Sequence, residues 1–440
     1  MYEDIQYYNT TVGKNQPPIF AGSDDKHGGM CYNRAGQARR NECRAARKEA
    51  SVMYVYADNA ATTPMSETAM RAVDEAMHTL WGNPSSPHAV GQAAAAALDE
   101  ARRTVADCLG AAGPDEIVFT GGGSEADNQA IRSAAYIGAR AGKRHLISTV
   151  FEHHAVLHTL AALEREGFEV TLLPVGTDGV ADPAAVAAAI RPDTSLVTVM
   201  YANNELGTIQ PIRAIGRVCR AAGVLFHTDA VQAVGRVPVD VTADCVDLLS
   251  LSAHKFHGPK GVGVLYVRRG VEVTPLILGG GQEAGRRAGT ENLPGIAGLA
   301  AALSEAVSGL ADTMPRVAAL RDDLLRRLTA AIPGTHLNGA ADAGRRLPGT
   351  LSLCFEGVTG EAVVLRADLA GIAISAGSAC TSGCLEPSHV MTAIGRDPAL
   401  ALGAVRISLS GRTTEAEVSY IADTLPRIVR ALRGEGRREK

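Results

Sequence analysis

Leu248-Leu249-Ser250-Leu251-Ser252-Ala253-His254-Lys255 is an apolar run of strand length that ends on a lysine, with Gly258-Pro259-Lys260-Gly261 just beyond it. A leucine-rich run of this length, broken only by small serines, fits a strand covered on both faces, and such strands belong to parallel sheets flanked by helices. The same pattern recurs outward from it, with candidate strands at 116–120, 145–149, 169–174, 196–201, 224–228 and 262–267. Amphipathic stretches at 152–166 and 212–222 lie between them, which predicts an α/β domain built on a mainly parallel sheet. A helical stretch over 294–328, interrupted near Pro315, leads into a second pattern with strands at 350–355, 372–375 and 404–409. The expected division is a large domain over 53–310, whose first segment contributes to the small lobe, and a small α+β domain over 311–440.

Residues 1–52 read differently. They are polar, carry Gly-Gly and Pro-Pro pairs, and end in a basic run from Arg34 to Lys48. Without helical or strand periodicity they predict a disordered or loosely attached extension. Glu3, Asp4 and the lack of an apolar block argue against a signal or transit peptide. The alternative is a natural start at Met53.

With 440 residues the chain can bury a substantial core in each of two lobes. Its net charge of −4 argues against nucleic-acid or membrane-surface partners, which select a basic excess. No apolar run reaches the length of a membrane span, so the expected location is the cytoplasm. Eight cysteines lie between Cys31 and Cys384. A chain this long does not need disulfide staples, and Cys108, Cys219, Cys245 and Cys354 read as small reduced core residues.

Three features carry chemistry. Strand 116–120 runs into Gly121-Gly122-Gly123-Ser124-Glu125 and then a helix, which offers backbone N–H groups and a positive dipole end to an anion. Taken alone it is equally a glycine-rich turn, since it matches neither the dinucleotide fingerprint nor the P-loop. Lys255 falls at a strand end, where α/β sites form, and partial desolvation would free its amine for a Schiff base. Strand 224–228 ends at Asp229, with Gln232 one turn on. A carboxylate there can face a protonated pyridine nitrogen, though a helix cap is the plain reading. Cradle, acid and lysine together favour pyridoxal 5'-phosphate.

At this point the chain resembles the cysteine desulfurases, of the class V aminotransferase group of fold-type I pyridoxal-phosphate transferases. The resemblance runs from Tyr54 to about Leu432. It rests on Ala57-Asp58-Asn59-Ala60-Ala61-Thr62-Thr63, Gly82-Asn83-Pro84-Ser85-Ser86, Asn203-Asn204-Glu205, Ser252-Ala253-His254-Lys255 and Ser378-Ala379-Cys380-Thr381-Ser382. Leu385-Glu386-Pro387-Ser388-His389-Val390 looks most like the nitrogen-fixation type. The resemblance implies that Lys255 binds the cofactor covalently and Asp229 faces its ring nitrogen. Asn204 and Gln232 would bond its phenolic oxygen, and His153 would stack on the ring and assist proton transfer. Gly123, Ser124, Ser252 and His254 would hold the phosphate, with Thr290 entering from a second subunit of a homodimer. Arg406 would grip the substrate carboxylate with Asn83 near it, as a guanidinium fork suits a planar carboxylate. The family usually has alanine and threonine where this chain has Gly123 and Ser124, which implies a looser turn that keeps its hydroxyl. His154 and His158 follow His153 at helical spacing, but no further ligand accompanies them and no metal is expected.

Ser375-Ala376-Gly377-Ser378-Ala379-Cys380-Thr381-Ser382-Gly383-Cys384 is rich in small residues and reads as an exposed, mobile loop. The implied reaction removes sulfur from L-cysteine, leaving L-alanine and a persulfide on Cys380. Cys384 is inert, forms a reversible disulfide with Cys380, or shares its sulfur. The implied partner is a sulfur acceptor: an iron–sulfur scaffold first, then a tRNA-thiolation or biosynthetic carrier. Rival readings are a selenocysteine lyase, a small-amino-acid aminotransferase and a non-catalytic sulfur-carrier scaffold. The cysteine loop speaks against the first two, and the joint presence of Lys255, Asp229, His153, Arg406 and Cys380 against the third.

Overall fold

The computed structural model describes residues 53–377 and 386–434, so the readings made for residues 1–52 and for Cys380 and Cys384 lie outside the described residues. Its main sheet has seven strands. In chain order they are β2 (Ile117–Thr120), β3 (His145–Thr149), β4 (Glu169–Leu173), β5 (Thr194–Thr198), β6 (Leu225–Asp229), β7 (Leu248–Ser252) and β8 (Gly263–Val267). The spatial order is β2-β8-β7-β6-β5-β3-β4. Strands β4, β3, β5, β6 and β7 pair in parallel. Strand β8 runs antiparallel to both β7 and β2, which leaves β2 pointing the same way as β7. Every residue of β7 is buried, the serines Ser250 and Ser252 included, as in a strand covered on both faces.

A second sheet, of four strands, has the order β12-β13-β10-β9. It comprises β9 (Thr335–Leu337), β10 (Thr350–Phe355), β12 (Ser375–Ala376) and β13 (Ala404–Ser408). Its own apolar cluster includes Leu324, Leu353, Phe355, Ile407 and Leu425. Strand β1 (Val55–Tyr56) pairs in parallel with β11 (Ile372–Ala373), so the first described segment joins this second layer.

Two expectations need correction. The long helical stretch breaks at Gly309, not at Pro315: helices Leu293–Ser308 and Leu310–Ala331 meet there at 73°. Gly309 stands between the two helices, and Pro315, the sixth residue of the second, removes one backbone N–H bond there without ending the helix. The single strand expected at 372–375 is two short ones, β11 and β12, which pair with different partners. Among the cysteines read as core, Cys219 and Cys354 are buried, whereas Cys108 and Cys245 are half-buried.

Two devices place the site. Glu283 is buried and takes both guanidinium nitrogens of Arg102 at 2.7 Å, along with Phe119 N–H at 3.0 Å. It thereby clamps β2, which feeds the glycine cradle; breaking such a pair by removing one partner costs about 3–5 kcal/mol. The second device is the strap of residues 57–63. Ala57 accepts from Ser408 N–H at 2.7 Å, and Thr63 donates through its N–H to His254 O at 2.9 Å. The strap thus ties the second sheet to the segment after β7.

Gly263, at the start of β8, shows how tight this region is. A Cβ there would lie 2.6 Å from Leu251 O and 2.7 Å from Gly122 Cα. Gly263→Ala should therefore lower stability by about 1–3 kcal/mol, the usual cost of overpacking. It should also distort the cradle, which thermal unfolding and cofactor titration would read together.

Candidate active site

The carboxyl ends of β2, β3, β5, β6 and β7 open on one side of the sheet, and side chains following each of them converge there. A cavity of about 210 Å³ is lined by Gly123, Ser124, His153, Asn204, Asp229, Gln232, Ser252, His254, Lys255 and Arg406, together with Asp127, Met200 and Val231. Ten of the residues singled out from sequence are thus brought together, counting those ten names. Asn83 and Thr290 are exposed and do not line this cavity. Asn83 instead accepts from Ser85 N–H at 2.9 Å, and Thr290 lines a separate crevice with Gly121, Glu283 and Arg287.

Lys255 follows β7 in a short 3-10 turn, and its Nζ donates to Ala60 O and Ala61 O, both at 2.8 Å. Burial, then the guanidiniums of Arg236 and Arg406, bring its pKa down to about 8, against the pull of Asp229 and Asp58. Neighbouring Asp229 ends β6 and is 5% exposed. It accepts from Val231 N–H at 2.9 Å. Burial raises its pKa, while His153, the Val231 amide and Lys255 oppose the rise. A cationic ring nitrogen against this carboxylate would relieve the cost of its burial.

His153 caps helix His154–Arg165, its Nδ1 accepting from Ala155 N–H at 3.1 Å. Capping and cavity lining are therefore compatible, and the cap leaves Nε2 as the nitrogen that carries the proton in the neutral ring. Desolvation lowers its pKa; Asp229 opposes this, and Lys255 adds to it. His154 lies 4.9 Å from His158 and 4.8 Å from His389, ring to ring. Among the described residues no group of three or more histidine, cysteine, aspartate or glutamate side chains is placed to hold a metal ion.

The cradle helix Gly123–Arg140 starts without a side-chain cap, so its first amides are left for an anion. A hollow beside it is lined by Thr62, Gly121, Ser124, Ser252, His254 and Lys260. His254 shares a hydrogen bond with Thr62 at 3.1 Å, and burial, ahead of Lys255 and Lys260, holds its pKa at about 4. Gly123 is no loose substitute for alanine: a Cβ there would meet Val231 Cγ2 at 2.6 Å. The turn is filled from the other side.

Arg406, on β13, reaches across from the second sheet. It donates to Asn204 O at 3.0 Å and to Asp58 Oδ1 at 2.9 Å, while its buried Nε has no partner. Gln232 donates to Ala60 O at 2.9 Å and accepts from Arg236 at 2.8 Å, which leaves one amide hydrogen for a ligand. Sequence reasoning quoted Asp58 and Glu205 within motifs but gave them no part. Asp58 anchors Arg406, and Glu205, whose Oε2 is unpartnered, is pushed by burial to about 7. Arg236, Asp127 and Glu152 were not singled out, because an acidic or basic residue near a helix end reads from sequence as solvated.

The residues fit pyridoxal phosphate: an uncapped helix start for the phosphate, a buried carboxylate for the ring nitrogen and a lysine amine with a lowered pKa. Comparison with known proteins agrees. The aminotransferase class-V family model matches residues 55–421. The chain is 47% identical to the cysteine desulfurase IscS of Methanosarcina thermophila over 86% of this chain and 93% of that protein. A NifS-like protein structure superposes with a TM-score of 0.80 at 38% identity, covering 86% of this chain and 99% of the other. SspA, solved in complex with cysteine, gives a TM-score of 0.70 at 38% identity over 82% of this chain and all of that one (100%). On its sequence, fold and cavity, this chain belongs to the class-V aminotransferase family, as a member of its cysteine desulfurase branch.

Proposed function

We propose that the protein is a pyridoxal-phosphate-dependent cysteine desulfurase that takes sulfur from L-cysteine, releases L-alanine and holds the sulfur as a persulfide on Cys380. The observation that carries the reading is the convergence of Lys255, Asp229 and the uncapped cradle helix on one cavity, with Arg406 entering from the second sheet. The bound cofactor supplies an electron sink next to the substrate's α-carbon. Asp229 holds its ring nitrogen, and Asn204 with the free amide hydrogen of Gln232 holds its phenolic oxygen. Gly123, Ser124, Ser252 and His254 bind its phosphate, His153 covers its ring, and Thr290 completes the phosphate site from a second subunit.

The chain's own groups then divide the work. Arg406 orients the substrate carboxylate, with its unpartnered Nε as the donor in waiting. Lys255 would hold the cofactor through its Nζ, and when that amine is free it takes the substrate's α-proton. Cys380 supplies the attacking thiolate: its sulfur bonds to the substrate's sulfur as the substrate's carbon–sulfur bond breaks. The carbon skeleton takes up a proton and leaves as alanine. The persulfide passes to an acceptor protein, for which an iron–sulfur scaffold is our first assignment, with tRNA-thiolation or biosynthetic carriers as alternatives.

A homodimer is part of the proposal, since Thr290 does not line the cavity of its own chain. Large exposed apolar side chains support it: Trp81 at 73% and Leu278 at 81%, with Met77 and Ile277 near them in sequence. Sedimentation should give twice the chain mass, and Trp81→Glu with Leu278→Glu should shift it toward the single chain. We place the enzyme in the cytoplasm, on the support of four described cysteines that are all free. No single described helix is long and apolar enough to cross a membrane.

Two measurements test the chemistry. Cofactor uptake by the apoprotein should speed up as pH rises toward about 8, because the unprotonated Lys255 amine is the nucleophile and the ammonium predominates below that value. Appearance of the visible absorbance band after mixing reads this directly, and a flat profile from pH ~6.5 to ~9 would contradict it. Cys380→Ala should keep that band and lose sulfur release from cysteine. Full sulfide release by this variant would sink the assignment.

A further inference from the structure

The cavity wall contains one group that none of the roles above uses. Asp127 lies in the first turns of helix Gly123–Arg140, lines the cavity along with Asp229, and is 1% exposed. Its Oδ1 has no hydrogen-bond partner and stands 3.7 Å from His227 Nε2. Behind it runs a chain of buried polar groups. His227 Nε2 shares a hydrogen bond with Ser250 Oγ at 3.0 Å, and its Nδ1 shares one with Thr198 Oγ1 at 2.8 Å. The register of β6 and β7 sets Ser250 opposite Asp229, and His227 lies two residues before Asp229, on the same face. Asp127 therefore links the phosphate-cradle helix to the strand end that carries Asp229.

Charge decides what such a neighbour does. Asp127, Glu152 and Asp229 are all buried, and like charges in a dry wall do not ionise together. Glu152 is served by Thr149 Oγ1 at 2.6 Å and Met200 N–H at 3.0 Å, although burial still lifts it to about 8. Asp229 has the Val231 amide and the cations of Lys255 and His153 in its favour. Asp127 has Ser250 alone; burial, then the charge of Asp229, drives it well above the carboxylate range. His227 offers no counter-charge, since burial holds it neutral down to about pH 3. The proton of the pair belongs on Asp127.

We propose that Asp127 is a positioning residue for the cofactor's ring nitrogen: it fills the space beside Asp229 with a neutral carboxyl, so that the pair's single negative charge faces the ring from Asp229. The inference rests on the pyridoxal-phosphate reading of the cavity and names a determinant of how that ring is held.

The test compares Asp127→Asn, neutral and of the same shape, with Asp127→Ala in the full chain. Cofactor dissociation constants and the ¹⁵N shift of labelled pyridoxal phosphate are read alongside thermal unfolding of the apoproteins. Asp127→Asn should bind within ~3-fold of the wild type with an unchanged ¹⁵N shift. Asp127→Ala should bind at least ~10-fold more weakly, the penalty of leaving buried polar groups unsatisfied, with the shift displaced from the wild-type value as the ring nitrogen settles differently against the still-charged Asp229. If Asp127→Asn loses as much as Asp127→Ala, a charge is needed at this position and the proposal falls. It falls equally if Asp127→Ala matches the wild type. Should Asp127→Ala not fold, Asp127→Asn decides alone: retention of affinity and shift supports the proposal, and a ~10-fold loss in a folded protein overturns it. A wild-type chain that binds no pyridoxal phosphate overturns the reading of the cavity and the inference together.

Discussion

The parallel pairing of β6 with β7 is the constraint on which the site depends. With His227 against Leu248 and Asp229 against Ser250, the two strands end side by side. Asp229 then closes one strand while the other continues through Ser252 into Lys255. Slipping that register by one residue would turn every side chain to the opposite face. Apolar residues such as Phe226, Leu249 and Leu251, all 0% exposed, oppose the slip, because each would exchange its apolar packing for the polar side of the strand. Hydrophobic burial, at about 1.5–3 kcal/mol for each large side chain, thus sets the distance between an acid and an amine.

The second sheet matters because the strap of residues 57–63 holds it to the first. Ala60 O alone receives Gln232 and Lys255, and Asn59 O receives Arg236. Arg236 is a half-buried cation served by neutral acceptors, Gln232, Asn59 O and Lys255 O, the last at 3.1 Å, and desolvation lowers its pKa to about 10. Its positive charge, after burial, is one reason why the pKa of the Lys255 amine comes down to about 8. A backbone segment with no catalytic side chain of its own therefore shapes the electrostatics of the cavity.

Much of this was legible in the sequence. The strands at 145–149, 248–252 and 350–355 were readable to the residue, since each is a short stretch centred on large apolar side chains between turn-forming residues. Lys255, Asp229 and Gly123–Ser124 were legible because strand ends are where an α/β sheet presents chemistry. The bend at Gly309 was assigned to Pro315, because a proline is a stronger local signal than a glycine whose role depends on how two helices pack. Asp127 and Arg236 stayed hidden for a related reason. Their importance comes from burial, and a charged residue on a helix gives no local sign that water will be excluded around it.

Gly123 and Val231 press against each other where the cradle meets the turn after β6. The two positions are consequently not free to drift apart in evolution. An alanine at 123 obliges the Val231 side chain to shift or shrink, and Val231 keeps its present place only while 123 lacks a side chain. In an alignment of close relatives the pair should change together, so that two residues far apart in the chain carry one shared record of how tightly the anion is cupped.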